Sequence, residues 1–379
     1  MKKTLLLGTV FASSLLLFSC KGEQKTEVKT DYKPTFPLGE FVRPEGVNPV
    51  LSPDTSSVFF CPMNQTDVRW EESDAFNPGA VVKDGKICVL YRAEDNSSVG
   101  IGSRVSRVAL AESADGFNME KRNAPVVFPA DDNNKFYEWP GGCEDPRVSV
   151  TEDGTFVIFY TSWDRKFARL CVATSNDLLT WEKHGPVFAD AYDGKFLNTW
   201  SKASSILTTL KDDKLVITKI NDKYFMYWGE YIIYGAYSDD LKKWTPIVDE
   251  NGDLEILMAP REGYFDSDLT ECGPPAILTE DGVILLYNGK NSAEKGDPNY
   301  ATNAYCAGQA LFDAKDPSKF IKRLDKPFLI PEADFEKSGQ YPAGTVFIEG
   351  LVYFEGKWFL YYGCADSKVA VVVYDPQTK

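Results

Sequence analysis

Three carboxylates in this sequence lie beside glycine or proline, where a chain bends rather than continues a regular element. Asp145 lies in Gly141–Arg147, which reads Gly-Gly-Cys-Glu-Asp-Pro-Arg, while Glu230 follows a glycine and Glu271 precedes a Gly-Pro-Pro run. Spaced carboxyl groups can act as a general acid and a general base, and Arg147 can hold a carboxylate or a sugar hydroxyl through two hydrogen bonds. Taken singly, such acids are equally typical of solvated turns.

Further polar residues stand at the ends of strand-like segments. Asn77 lies in Phe-Asn-Pro-Gly, Arg92 and Asp95 end a Tyr-Arg-Ala-Glu-Asp segment, and Asp366 follows Tyr-Tyr-Gly-Cys-Ala. Asn and Arg commonly bind hydroxyl groups, although each residue also suits an ordinary turn or a surface ion pair.

The chemistry of this chain has to depend on carboxylates, because His184 is its only histidine. A single histidine excludes histidine-rich zinc sites and most Ser-His-Asp triads. We therefore expect neither a metal nor a cofactor. The net charge of −15 also argues against nucleic acid as a partner.

These candidates fall at corresponding points of an internal repeat. Each copy has three apolar or aromatic strands, and in the first four copies a polar turn and a short outer strand that contains proline follow. Turns such as Asp84-Gly85 predict hairpins. The copies begin with the segments Asn77–Glu94, Asp145–Trp163, Lys202–Tyr227, Pro275–Asn288 and Thr345–Gly363.

Four-stranded units in radial repetition predict an all-β fold, a five-bladed β-propeller. Strand ends around its axis would bring the candidates into one axial pocket. The last copy lacks an outer strand, and Gly46–Leu51 has the missing pattern. We therefore expect the start of the domain to close the last blade and remove a free edge. A β-sandwich is the alternative, and the matched copies count against it.

The N-terminus has the features of a bacterial lipoprotein signal. Two lysines precede the apolar run Leu5–Leu17, and Leu-Phe-Ser then leads into Cys20. These features predict a signal peptide over residues 1–19, lipidation of Cys20, a polar tether over 20–36 and a catalytic domain over 37–379. The protein would be exported and anchored to the outer membrane, facing the periplasm or the cell surface.

Seven cysteines follow Cys20, an odd number without any Cys-x-x-Cys pair. Several lie in apolar, strand-like runs, so we expect them to be buried free thiols.

Four motifs, in this order along the chain, resemble glycoside hydrolase family 130. They are the strand end at Tyr91–Ala93, Glu144–Arg147, Gly273–Pro275 and Tyr362–Asp366. The resemblance covers the chain from about residue 40 and implies a five-bladed propeller. It also implies an inverting enzyme that acts on β-mannosides, either a hydrolase or a phosphorylase.

The resemblance further implies roles for single residues. Asp145 matches the family's general acid, which acts through the 3-hydroxyl of the mannose in the −1 subsite, while Asn77, Arg92 and Asp366 match contacts to that sugar. An acid that is protonated at neutral pH needs a raised pKa, which we expect for Asp145 from partial burial and from nearby Glu144.

The attacking group distinguishes a hydrolase from a phosphorylase. A phosphorylase needs cationic donors for a phosphate dianion, and Lys219 lies in a Lys-Ile-x-x-Lys-Tyr strand that resembles the family's phosphate-binding segment. The family's histidine is missing after this strand, and Glu230 follows instead. Glu230 and Glu271 match two glutamates of the hydrolase branch, which acts on β-1,2-linked mannosides. We therefore predict hydrolysis, with phosphorolysis as the alternative.

Two other classes of protein remain possible from the sequence. A furanosidase with a five-bladed propeller also uses three acids, but its first acid opens the first blade, where this chain has Asn77. A glycan-binding lipoprotein without activity would have no need of spaced acids at positions 145, 230 and 271.

Overall fold

A computed structural model describes Met1 and residues 32–378. The predicted signal peptide, Cys20 and most of the predicted tether lie outside the described residues. Within the described part of the chain, no helix is both long enough and apolar enough to cross a membrane.

The described chain is all-β, with one four-residue α-helix at Lys135–Glu138 and two 3-10 turns at Ala191–Gly194 and Asp334–Glu336. The strands of the first half are β1 (Phe59–Cys61), β2 (Thr66–Val68), β3 (Asp74–Lys83), β4 (Lys86–Glu94), β5 (Ser106–Ser113), β6 (Glu120–Lys121), β7 (Gly142–Val150), β8 (Phe156–Trp163), β9 (Ala168–Ser175) and β10 (Glu182–Pro186). The strands of the second half are β11 (Ser204–Lys211), β12 (Lys214–Ile217), β13 (Lys219–Ile220), β14 (Lys223–Trp228), β15 (Tyr234–Ser238), β16 (Thr245–Pro246), β17 (Leu269–Cys272), β18 (Ala276–Leu278), β19 (Val283–Lys290), β20 (Tyr305–Phe312), β21 (Phe320–Arg323), β22 (Val346–Phe354), β23 (Lys357–Cys364) and β24 (Lys368–Tyr374).

Strands that follow one another in the sequence pair antiparallel in local groups. The groups are β3 to β6, β7 to β10, β11 with β14 to β16, β17 to β21, and β22 to β24. Asp84 and Gly85 form the predicted two-residue hairpin turn between β3 and β4, and both have the positive φ that such a turn requires.

Buried apolar clusters lie between each group and the next. The cluster that joins the last group to the first packs Val89 and Tyr91 of β4 against Tyr361 of β23 and Val371 of β24. The seven cysteines of the described chain are buried and free, as predicted. Apolar side chains are therefore buried between every pair of neighbouring strand groups, including the last group and the first.

A buried triad of tyrosine, carboxylate and cation recurs in four of these groups. In each triad a tyrosine of the second long strand donates to a carboxylate from a preceding loop, and a cation from an outer segment pairs with the same carboxylate. The triads are Tyr91–Glu71–Lys121, Tyr160–Glu138–Lys183, Tyr287–Asp266–Arg323 and Tyr362–Glu336–Arg43. In the last triad the cation comes from the N-terminal segment, whereas in the other three triads it comes from strands β6, β10 and β21.

The N-terminal segment runs antiparallel beside β24. Val42 exchanges two backbone hydrogen bonds of 2.9 Å with Val373, and Leu51 accepts one of 3.0 Å from Val369. Between them the side chain of Asn48 bonds both backbone groups of Val371, at 2.8 and 2.9 Å. Backbone groups along β24 thereby gain partners that an edge strand would lack.

Replacing Arg43 by alanine should lower the free energy of unfolding by about 2–3 kcal/mol, because Glu336 then loses its cation while fully buried. Glu336 keeps the tyrosine donor, which limits the effect. Denaturant titration measures the change. Arg69→Ala is the control, since this arginine forms an exposed pair with Glu72, and the change should stay below about 0.5 kcal/mol. Equal effects would contradict a structural role for the triad.

Candidate active site

One pocket of about 160 Å³ gathers most of the residues that the sequence singled out. Its lining includes six of the predicted site residues: Asn77, Arg92, Asp145, Glu230, Glu271 and Asp366. The lining is completed by Phe76, Glu94, Ile101, Lys202, Tyr305, Gln340, Tyr341, Thr345 and Phe347. Residues far apart in the sequence thus meet in one concave, polar site that also has aromatic side chains.

Two bulges aim Asn77 and Asp145 at the pocket. Asn77 has φ of +48° and Asp145 has φ of +49°, and the strand pairing shifts register at each residue. Asn and Asp tolerate this left-handed conformation better than most residues. Proline follows both and has no N–H to lose from the ladder. The motifs Asn-Pro-Gly and Asp-Pro-Arg are therefore the local cause of this geometry.

Close contact between the first strands of neighbouring groups brings these bulges together. A Cβ atom on Gly79 would lie 2.5 Å from the carbonyl oxygen of Pro146, and one on Gly350 would lie 2.7 Å from that of Pro78. Only glycine fits at such distances, so these two glycines allow the centre to close around the site.

Asp145 lies at the centre of a buried charge network. Its Oδ1 accepts hydrogen bonds from Asn77 at 2.8 Å and from Arg92 at 3.2 Å, and its Oδ2 lies 3.0 Å from the ammonium of Lys202. Arg92 also pairs with Glu94 at 2.6 Å and with Glu144 at 3.0 Å. Every oxygen of Asp145 therefore has a strong donor, which fixes its orientation.

The expected raised pKa of Asp145 is wrong for the ligand-free protein. Burial alone would raise this pKa, but the charges of Lys202 and Arg92 outweigh burial and hold the pKa of Asp145 well below its ordinary value. Asp145 is ionised before substrate binds. Glu144 is a neighbour of Asp145 in the sequence, whereas Lys202 becomes its neighbour only in the fold.

The raised pKa values belong to neighbouring carboxyls instead. Burial raises the pKa of Glu144 to about 6, with Arg92 and Lys202 partly opposing it. Burial also raises the pKa of Asp366 to about 7, again against the charge of Arg92. Glu144 and Asp366 consequently exchange protons near neutral pH.

Glu230 and Glu271 form a second acidic pair on the pocket wall. Burial raises the pKa of Glu271 well above its ordinary value, and the charge of Glu230 raises it further. Lys202 interacts electrostatically with both glutamates and with Asp145, so its ammonium connects the two acidic groups. Burial and the like charge of Glu230 both favour the protonated form of Glu271. A pair of acids on one pocket wall can supply a base for water.

Arg147 lies beneath the pocket and does not line it. Its guanidinium donates to the backbone carbonyls of Asp145 at 2.9 Å and Cys272 at 3.2 Å, and pairs with Glu349 at 2.9 Å. The distance to Glu271 is 4.0 Å. The arginine therefore supports the strands that carry the acid and one of the two glutamates, rather than contacting a ligand.

Asp95 and Lys219, like Arg147, are predicted ligands that do not line the pocket. Asp95 is buried in an ion pair of 2.9 Å with Arg107 and accepts backbone hydrogen bonds at both ends of the loop that carries Ile101. Lys219 is exposed, with its ammonium 4.7 Å from the centre of the Tyr224 ring. Asp95 shapes a loop, and Lys219 lies on the short strand β13.

Lys202 and Glu349 are site residues that the sequence analysis missed. Lys202 opens the third repeat, as Asn77 and Asp145 open the first two, and this correspondence was the available signal. Glu349 interrupts an apolar strand just before glycine and lies at a register shift of β22. Burial raises the pKa of Glu349 to about 8, with Arg147 partly opposing it.

Among the described residues, no group of three or more His, Cys, Asp or Glu side chains has an arrangement that could hold a metal ion. The pocket itself offers carboxyl, ammonium, guanidinium and phenol groups.

The sequence model of glycoside hydrolase family 130, described as beta-1,4-mannooligosaccharide phosphorylase, matches residues 55–377. The chain belongs to glycoside hydrolase family 130, which confirms the resemblance that the motifs indicated.

The chain is also similar to individual proteins and solved structures. The 1,2-beta-oligomannan phosphorylase of Thermoanaerobacter sp. (strain X514) is 32% identical over 316 residues, which are 82% of this chain and 93% of that protein. The crystal structure of a glycosyl hydrolase from Bacteroides ovatus is 57% identical, has a TM-score of 0.89 and covers 91% of this chain and 97% of its own. A structure described as "The GH130 family of mannoside phosphorylases contains glycoside hydrolases that target beta-1,2 mannosidic linkages in Candida mannan" is also 57% identical. Its TM-score is 0.89, and the match covers 92% of this chain and 98% of that one.

Proposed function

We propose that this protein is an inverting glycoside hydrolase that cleaves β-1,2-linked mannosides with water. The observation that carries the proposal is that Glu230 and Glu271 line the same pocket as the cation-bound carboxylate Asp145. The runner-up is an inverting β-mannoside phosphorylase that releases mannose 1-phosphate.

The charges that line the pocket favour water over phosphate as the attacking group. Its cations are Lys202 and Arg92, and both are already engaged by carboxylates. Its carboxylates outnumber them, namely Glu94, Asp145, Glu230, Glu271 and Asp366. A phosphate dianion needs uncommitted donors and would be repelled by this excess of acids.

The comparisons support the same choice. The relative whose description names glycoside hydrolases that target beta-1,2 mannosidic linkages is 57% identical to this chain, whereas the oligomannan phosphorylase is 32% identical. Both descriptions name β-1,2 linkages, so the linkage is common to the two candidate functions.

In the proposed mechanism Asp145 gives a proton to the glycosidic oxygen, directly or through the 3-hydroxyl of the mannose. Asn77, Arg92 and Asp366 hold that sugar, and one of the two glutamates takes a proton from water. Because Asp145 is ionised in the empty pocket, its proton has to arrive when the substrate displaces solvent. Glu144, which adjoins Asp145 in the sequence and has a pKa of about 6, is the source that we propose.

The architecture that we propose for this site is a five-bladed propeller closed by the N-terminal segment. Support comes from the apolar cluster between the last and first strand groups, and from the Val42 and Leu51 bonds to β24. Arg43 occupies the place that outer-strand cations take in three other groups. We further propose that lipidation at Cys20 anchors this domain at the outer membrane.

The test is product analysis on β-1,2-mannobiose, with and without inorganic phosphate. We expect free mannose in the absence of phosphate, released first as the α-anomer, which NMR spectra taken early in the reaction detect. Mannose 1-phosphate formed only with phosphate would establish the runner-up. Cleavage under neither condition would contradict the substrate class, with β-1,4-mannobiose as the control for linkage.

A further inference from the structure

Trp200 lies at the edge of the pocket in a position that burial does not explain. Its side chain is 47% exposed, yet its indole N–H donates a hydrogen bond of 2.6 Å to Oε2 of Glu230. The ring packs edge-on against Trp163, with 5.7 Å between ring centres, and Trp163 in turn donates to the carbonyl oxygen of Gly102. An exposed indole held on both sides is a fixed donor rather than part of a core.

Glu271 has no comparable donor. It is 3% exposed, its carboxyl accepts no hydrogen bond within the described chain, and the nearest guanidinium nitrogen of Arg147 is 4.0 Å away. Glu230 is only half-buried and has the indole bond. Hydrogen bonding and solvent both stabilise a carboxylate, whereas burial without a donor stabilises its protonated form.

We propose that Trp200 is a positioning residue that holds and aims Glu230 through its indole N–H, which makes Glu230 the general base, whereas Glu271 has no such donor to orient it. This inference rests on the proposed hydrolase function and assigns the roles within its pair of glutamates. Burial and the charge of Glu230 raise the pKa of Glu271, in agreement with the same division.

Every proton and bond is accounted for in the hydrolysis step with Glu230 as the base. The Glu230 carboxylate takes a proton from water while the water oxygen bonds to C1 of the mannose. The bond from C1 to the glycosidic oxygen breaks, and that oxygen takes the proton supplied by Asp145. The products are α-mannose and the leaving sugar, and solvent later returns the proton from Glu230 to the acid. A glutamate that is half open to solvent also admits the attacking water.

Four other titratable or charged groups interact with Glu230: Lys202, Tyr231, Glu271 and Tyr305. The ammonium of Lys202 attracts the Glu230 carboxylate, and an ionised Glu271 carboxylate repels it. The phenols of Tyr231 and Tyr305 have raised pKa values and are neutral near pH 7. The indole is the donor that acts on Glu230 and leaves Glu271 untouched.

The first experiment compares Trp200→Phe with wild type on β-1,2-mannobiose. Phenylalanine keeps an aromatic ring and removes the donor. The acidic limb of the kcat/KM profile should move upward by about one pH unit, because a base without its hydrogen bond is protonated more easily, and KM should change less than about twofold. Trp181→Phe is the control, since that indole donates to the carbonyl of Leu178 away from the pocket. An unmoved acidic limb in Trp200→Phe would overturn the role of Trp200.

The second experiment adds sodium azide to Glu230→Ala and to Glu271→Ala. Azide attacks C1 without needing a base, so it should restore activity to Glu230→Ala at least about tenfold and give α-mannosyl azide. Glu271→Ala should gain nothing. Rescue of Glu271→Ala instead would exchange the two roles and reject the inference. Wild-type protein that releases no free mannose without phosphate would reject the proposed hydrolase itself, a result separate from either variant.

Discussion

Asp145→Asn should lower kcat on β-1,2-mannobiose by about three orders of magnitude, the upper part of the range for a general acid. Asparagine keeps the shape of the side chain, and its amide oxygen can still accept the hydrogen bonds of Asn77 and Arg92, while the ion pair with Lys202 is lost. It cannot give up a proton to the leaving oxygen. Steady-state kinetics with purified variants measures the loss.

A substrate that needs no acid separates this role from a structural one. With 2,4-dinitrophenyl β-mannoside, whose leaving group departs without protonation, Asp145→Asn should stay within about tenfold of wild type. Asp366→Asn serves as the comparison within the same pocket, because loss of a sugar contact affects both substrates alike. Equal losses of Asp145→Asn on the two substrates would show that Asp145 is not the acid.

Lys202→Met should produce the largest loss of stability, about 3 kcal/mol at pH 7, because Asp145 is left buried without its closest ammonium. Asp145 has a folded pKa below its unfolded value, so its ion pairs stabilise the protein above the unfolded pKa of about 4 and lose this effect as pH falls. The difference between wild type and variant should therefore narrow below about pH 4.

Denaturant titrations at several pH values measure this difference. Lys223→Met is the matched control, since Lys223 forms an exposed pair with Asp239 and should contribute less than about 0.5 kcal/mol at any pH. A loss for Lys202→Met that is constant with pH would indicate lost packing and contradict the electrostatic account. Activity should fall as well, because Lys202 also balances the charges of Glu230 and Glu271.

The sequence was most informative where a local rule governs the backbone. Asp84-Gly85 predicts a hairpin turn because both residues tolerate positive φ, and that turn is present. The Asn-Pro-Gly and Asp-Pro-Arg motifs marked irregular strands for the same kind of reason. Family motifs then predicted a shared pocket for Asn77, Arg92, Asp145 and Asp366, which the structure brings together.

The position of the Lys219 side chain could not be predicted from the sequence. A lysine in a matching strand segment was taken as a site residue, but the direction of a side chain depends on the local strand and its neighbours. In the fold Lys219 lies against an aromatic ring outside the pocket. Lys202, without any recognised motif, reaches Asp145 instead.

By itself, the sequence determined the all-β class, the family, the repeat, the buried thiols and the reliance on carboxylates, because each follows from residue type and short-range spacing. The tertiary structure decided which charges surround each carboxyl. Asp145 and Glu271 are both buried acids, yet Lys202 and Arg92 lower the pKa of the first, while burial and Glu230 raise that of the second. These effects act over a few ångströms between residues that are distant in the chain, so only the folded protein determines which group is ionised.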